Sequence, residues 1–276
     1  MNAEEARTLA DTTIKQLVAE LQAGHSEQLT RFLAAMARFH RYSLCNLFLI
    51  LTQRPEATNV AGFNTWKKLG RFVKKGEKGI AIVAPVVLRR HEENEVSPSA
   101  ETADRSILRF RIAHVFDVAQ TDGEALPSLT QLQGNPARTA TAGLRRFAAQ
   151  RGILVETDAT LGGALGVSCK GRIGLRPDLS PAEELRTLAH ELAHEMLHHN
   201  PTERPDVRTR ETEADAVAFV ISTSAGLDAG GAARDYIHLY HGDAELLTQS
   251  LNRILGVAGE LLTAIEPSSA TEDVAA

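Results

Sequence analysis

The chain's tightest constraint is the stretch His190-Glu191-Leu192-Ala193-His194, followed sixteen residues later by Glu211-Thr212-Glu213-Ala214-Asp215. On a helix, positions i and i+4 share a face, so His190 and His194 can turn both imidazoles toward one ion. Glu191 then stands beside the coordination sphere, where a general base for an attacking water belongs. Ser180-Pro181-Ala182-Glu183 reads as an N-cap, a proline at the first helical position and a capping-box glutamate. Leu185, Leu188, Leu192 and Met196 recur at helical spacing, and Asn200-Pro201 ends the segment.

A second helix beginning near Pro205 places Glu211 and Asp215 again at i and i+4. This pattern predicts a three-ligand zinc site of His190, His194 and Glu211, with water in the fourth position and another divalent ion as the alternative. Asp215, one turn from Glu211, suits a hydrogen bond to a ligand imidazole that sets its tautomer. Glu213 points about 200° around the helix from Glu211, so the two cannot both face one ion. Glu211 is preferred because only it has an aspartate at i+4, and Glu213 is the fallback. His198 and His199, near the helix end, read as solvated imidazoles whose cationic form suits the helix dipole.

With 276 residues there is room for two domains. A 43% hydrophobic and 24% charged composition is that of a globular chain, and a net charge of −5 requires any nucleic-acid binding to come from a local patch. Cys45 and Cys169 lie far apart in sequence, which predicts buried thiols and a reducing compartment. No apolar run reaches about 18 residues, and the acidic N-terminus lacks a signal-peptide pattern. The expectation is therefore a cytoplasmic protein with no membrane partner.

Residues 3–22, 26–40 and 44–51 carry helical apolar stripes, with Ser26 as the cap of the second. Between Lys67 and Lys78 stand six basic residues, Lys67, Lys68, Arg71, Lys74, Lys75 and Lys78, against one acid, Glu77. Phe63, Trp66 and Phe72 are interleaved with them. Such a segment is either a single-stranded DNA surface, with aromatic rings stacking on bases, or a solvated basic turn with Trp66 in the core. Ile80–Leu88 and Ile107–Val118 predict two antiparallel strands joined by a polar loop, His91–Arg105, and Arg109 and Arg111 share one strand face.

Residues 121–137 punctuate the chain with Gly and Pro, which marks a domain boundary. Beyond it, residues 139–151 predict a helix, 153–156 a strand, and 164–169 with 172–175 a hairpin around Lys170-Gly171. A strand edge beside the metal helix offers main-chain hydrogen bonds to an extended peptide. Residues 235–241 and 244–265 predict further helices, and the last ten residues a disordered tail.

Two blocks resemble the ArdC-type antirestriction proteins of mobile elements. FHRYSLCNLFLILTQRPEATNVAGFNTWKKLGRFVKKGEKGIAIVAP, residues 39–85, is similar to their N-terminal single-stranded-DNA-binding domain; LAHELAHEMLHH with RETEADAVAFV resembles ImmA/IrrE-like metallopeptidase domains. The resemblance implies an α+β protein of two domains, a helical and β-hairpin DNA-binding domain over 1–122 and a zincin-like metallopeptidase domain over 138–266, with a linker at 123–137 and a tail at 267–276. It implies His190, His194 and Glu211 as metal ligands and Glu191 as the catalytic carboxylate acting on an unidentified protein substrate. It also implies DNA contacts at Tyr42, Asn46, Trp66, Lys67, Lys68, Arg71, Lys74, Lys75 and Lys78. Tyr42 and Asn46 equally suit buried polar residues that hold the third helix. Tyr236, His238 and His241 are candidates for the oxyanion donor. Two rival roles are a non-proteolytic coat on single-stranded DNA with a structural metal site, and a regulatory peptidase that cleaves a repressor.

Overall fold

A computed structural model describes residues 2–88, 107–124, 135–198, 205–227 and 243–266. The predicted loop at 91–105, the helix at 235–241 and the tail at 267–276 lie outside these residues, as does most of the predicted linker.

The N-terminal half begins with three helices. In α1 (Ala3–Gln22) a capping box between Asn2 and Glu5 closes the first turn, and Ala6, Ala10, Ile14, Leu17, Val18 and Leu21 fall on the buried face. The second helix, α2 (Glu27–Phe39), buries Leu29, Phe32, Leu33, Met36 and Phe39. Ser26 occupies its N-cap position, but its side chain makes no capping hydrogen bond, contrary to the sequence expectation. Ser43 does cap α3 (Leu44–Gln53) by accepting from the Asn46 amide.

β1 (Val60–Gly62), β3 (Ile80–Leu88) and β4 (Ile107–Asp117) form an antiparallel sheet in the order β1-β4-β3, in which the predicted strand pair appears with Ile80 opposite Val115. The free edge of β3 is covered by α3. Asn46 donates to the Val83 carbonyl (2.9 Å) and accepts from its amide (2.8 Å). Two turns on, Gln53 does the same at Ala81, with both bonds at 2.9 Å. Side-chain amides thus satisfy backbone groups that would otherwise template pairing with another strand. The short α4 (Phe63–Lys68) follows β1, and β2 (Arg71–Val73) pairs with β5 (Thr121–Gly123).

After α5 (Pro136–Gln150), capped by Asn135, come β6 (Leu154–Thr157), β7 (Gly166–Ser168) and β8 (Arg172–Leu175). Their order is β6-β8-β7, with β6 parallel and β7 antiparallel to β8. Lys170 and Gly171 form the predicted hairpin turn with φ of 40° and 86°. Two successive positive φ values are what a two-residue turn with the right-handed twist of its strands requires. α6 (Pro181–Leu197), α7 (Val207–Ser224) and α8 (Ala244–Ile265) complete the half.

The apolar residues of both halves join in one buried cluster, and α2 packs directly on α7 and α8. Both cysteines depart from the expectation of buried thiols: Cys45 is half-buried and Cys169 is exposed. Among the described residues no helix is long and apolar enough to cross a membrane.

Candidate metal centre and nucleic-acid surface

Local chemistry starts α6 where the pattern requires. The Ser180 hydroxyl accepts from the Glu183 amide, the Glu183 carboxylate accepts from the Ser180 amide, and Pro181 follows at the first helical position. Leu185, Leu188, Ala189, Leu192 and Ala193 are fully buried, which fixes the helix's rotation and turns His190 and His194 toward α7. Asp206 caps α7 by accepting from the Thr209 amide.

These two helices bring His190, His194 and Glu211 together. The two Nε2 atoms are 3.0 Å apart, and the Glu211 carboxylate oxygens lie 3.4 Å from His190 Nε2 and 3.5 Å from His194 Nε2. A tetrahedral ion with bonds of about 2.05 Å has ligand atoms about 3.3 Å apart, so the spacing of this donor set is close to that around a first-row divalent ion. Asp215 Oδ1 lies 3.1 Å from His190 Nδ1.

The charges are strongly interdependent. Burial pulls the His190 imidazole down, but the hydrogen bond and charge of Asp215, with Glu191 and Glu211 nearby, raise it overall. His194 is held low by burial and by His190, so one ring of the pair keeps a free lone pair. Glu191 is buried, and desolvation, reinforced by Glu211 and opposed by His190, pushes its carboxyl up to about 6. The Ser168 backbone amide reaches the same carboxylate from β7. A Cβ on Gly166 would lie 2.6 Å from Thr187 Cγ2 and 3.0 Å from Glu191 Oε1, so only glycine lets β7 approach α6 this closely.

Glu213 is fully buried and stands outside the group formed by His190, His194 and Glu211. Its carboxylate accepts from Arg253 of α8 and lies 3.1 Å from His198 Nε2. Burial raises the Glu213 carboxyl, yet the bonds from His198, Arg253 and Ser250 outweigh it and hold the group below the usual carboxylate range. The reading of His198 as a solvated helix-end imidazole is therefore corrected. It is 3% exposed and both ring nitrogens have partners. Its sequence signal was a third histidine at i+4 from His194, on the same face. His199, Tyr236, His238 and His241 lie outside the described residues.

The N-terminal candidates separate into two groups. Trp66 is 2% exposed and its indole donates to the Phe116 carbonyl (2.8 Å), so it is a core residue and no stacking platform. Asn46 clamps β3, and the Tyr42 hydroxyl donates to the Val60 carbonyl at 3.2 Å, with burial raising its pKa. Both take the structural alternative. Arg71 spends its guanidinium on Thr121, donating to Oγ1 (2.8 Å) and to the carbonyl (3.0 Å), and also on the Glu124 carbonyl, which pins β2 to β5. Lys74 donates to the Ala119 carbonyl (3.1 Å) and lies 3.5 Å from Asp122. Lys67, Lys68, Lys75 and Lys78 are exposed. Within residues 63–78 the exposed rings are Phe63 (55%) and Phe72 (58%). Strand alternation could have found Phe72, since Arg71 and Val73 turn to the opposite side.

Residues 7–116 match the model of the N-terminal domain of the anti-restriction factor ArdC, and residues 147–252 match the IrrE N-terminal-like domain of the M78 peptidase family. An uncharacterized protein of Bacillus anthracis is 24% identical over 95% of this chain, which spans about half (51%) of that relative's length. The fold is similar to two crystal structures of the antirestriction ArdC protein from plasmid R388. The metal-free one has a TM-score of 0.50 at 19% identity, covering 93% of this chain and 97% of that one. The Mn(II)-bound one has a TM-score of 0.51 at 18% identity, covering 95% and 99%. The two domain models thus match in tandem, over residues 7–116 and 147–252, along a fold similar to that of the R388 ArdC protein.

Proposed function

We propose that this protein binds single-stranded DNA through its N-terminal half and hydrolyses peptide bonds at a divalent-metal centre formed by His190, His194 and Glu211. The observation that carries the proposal is the convergence of those three donor groups with a buried carboxylate, Glu191, alongside. Two imidazoles and one carboxylate suit zinc, and the R388 relative was crystallised with Mn(II). When bound, such an ion supplies Lewis acidity to the scissile carbonyl and acidifies the attacking water.

The protein's own groups do the rest. An extended peptide pairs with the edge of β7 by main-chain hydrogen bonds, which brings it across the face of α6. Glu191 accepts a proton from water at its carboxylate oxygen and returns it to the leaving amine. A carboxyl raised by burial is suited to both steps near neutral pH. Asp215 keeps the proton of His190 on Nδ1 and so leaves Nε2 free. On the N-terminal surface, Lys67, Lys68, Lys75 and Lys78 attract the phosphate backbone while Phe63 and Phe72 receive bases.

Metal analysis of the purified protein, joined to a caseinolytic assay with and without an oligonucleotide, tests the proposal. About one divalent ion per chain and cleavage lost to a chelator are expected. A metal-loaded protein that cleaves nothing in either condition refutes the peptidase reading. A second reading, a protective coat on DNA, is favoured by the fact that the surface of Phe63, Phe72, Lys67, Lys68, Lys75 and Lys78 lies within residues 63–78 and includes no metal-site group. Undiminished antirestriction in the Glu191→Gln protein would select it.

A further inference from the structure

His198 stands between a ligand candidate and a buried charge. Its Nδ1 lies 3.0 Å from His194 Nδ1, and its Nε2 lies 3.1 Å from Glu213 Oε2. Arg253 donates to Glu213 from Nε at 3.1 Å and from a terminal nitrogen as well, and Ser250, itself fully buried, also bonds to it.

The proton positions follow from what each group can do. An ionised carboxylate only accepts, so the proton facing Glu213 belongs to His198 Nε2. Arg253 already balances the Glu213 charge, so one proton on His198, at Nε2, completes the set without placing a further charge on a ring that is 3% exposed. A neutral ring protonated at Nε2 presents a lone pair at Nδ1. His194 must fill it with an Nδ1–H, and its own lone pair is then left on Nε2. That atom is the one 3.0 Å from His190 Nε2 and 3.5 Å from Glu211.

We propose that the chain Arg253–Glu213–His198 sets the tautomer of His194, making His198 a positioning residue that holds His194 Nε2 ready for a metal ion. The proposal rests on the reading of His190, His194 and Glu211 as ligands. It gives the site two braces: Asp215 of α7 serves His190, and Arg253 of α8, through Glu213 of α7 and His198, serves His194. Without the brace, His194 is free to take the Nε2–H form that isolated histidines prefer, which cannot ligate through Nε2.

The test uses the full-length protein labelled with 15N-histidine, metal-free and at a pH where imidazoles are neutral. Long-range proton–nitrogen spectra report the tautomer of each ring, with His194 assigned by the signals lost in His194→Asn. The expected result is Nδ1–H at His194 in the wild type and a shift toward Nε2–H in His198→Leu. Zinc affinity, measured by competition with a chromophoric chelator, is expected to fall roughly 10- to 100-fold in His198→Leu. In His198→Gln, whose amide can accept from His194 and donate to Glu213, both properties are expected to return toward wild type. Nε2–H at His194 in the wild type overturns the proposal even if His198→Leu does not fold, as does a His198→Leu protein with unchanged tautomer and affinity. Because the tautomer is read without metal or substrate, a protein that binds no ion would refute the proposed function and leave this result standing.

Discussion

Asp215 lies one helical turn from Glu211 and 3.1 Å from His190 Nδ1, so one face of α7 presents both a carboxylate to the imidazole pair and a brace to one of its rings. Replacing Asp215 with Ala removes the acceptor that keeps the His190 proton on Nδ1. The expected outcome is a roughly 10- to 100-fold loss of metal affinity, read by calorimetric titration of the metal-free protein. Unchanged affinity would show that His190 needs no partner.

Glu191 lies beside the donor set without belonging to it, so its charge and its ligation are separable. Glu191→Gln is expected to bind metal at wild-type stoichiometry while caseinolysis falls by about 10² to 10⁴. Cleavage at the wild-type rate would remove Glu191 from the mechanism.

Burial decides between the two readings that sequence leaves open for Trp66 and places it in the core, against the DNA contact that the resemblance implies. Trp66→Ala empties a core site and strands the Phe116 carbonyl, so it is expected to cost about 3–5 kcal/mol of stability, visible in denaturant melts. Phe72→Ala and Phe63→Ala are expected to leave the melts unchanged and weaken oligonucleotide binding by about 1–3 kcal/mol each. Binding that responds to neither phenylalanine would rule out stacking at this surface.

Gly166 admits no side chain without moving Thr187 or the Glu191 carboxylate. Gly166→Ala is expected to cost about 1–3 kcal/mol in stability through overpacking and to depress cleavage while metal binding persists. Chelator competition and the caseinolytic assay on the same preparation check this.

The two thiols differ in access. Cys169 is exposed, whereas Cys45 is half-buried and its thiol is pushed up by burial, with Asp11 adding to the effect. Under native conditions an alkylating reagent is expected to label Cys169 first, and mass spectrometry of the peptides decides the order.

Sequence by itself determined what is local. Capping residues and 3.6-residue periodicity are properties of neighbours in the chain, and they located α1, α6, α7 and α8, paired β3 with β4, and placed the Lys170-Gly171 turn. The same periodicity put His190 and His194 on one face and turned Glu213 away from Glu211. Tertiary structure decided what depends on which face is covered. A tryptophan among lysines reads equally as platform or as core until a strand closes over it, and the packing of α4 on β4 makes Trp66 core and leaves Phe63 and Phe72 outside. Asn46 and Arg71 look like polar surface until the backbone groups they satisfy, 37 and 50 residues away, arrive beside them. His198 is the clearest instance. Its surroundings come from α7 and α8, and a ring's exposure and proton position are set by partners that share no sequence neighbourhood with it.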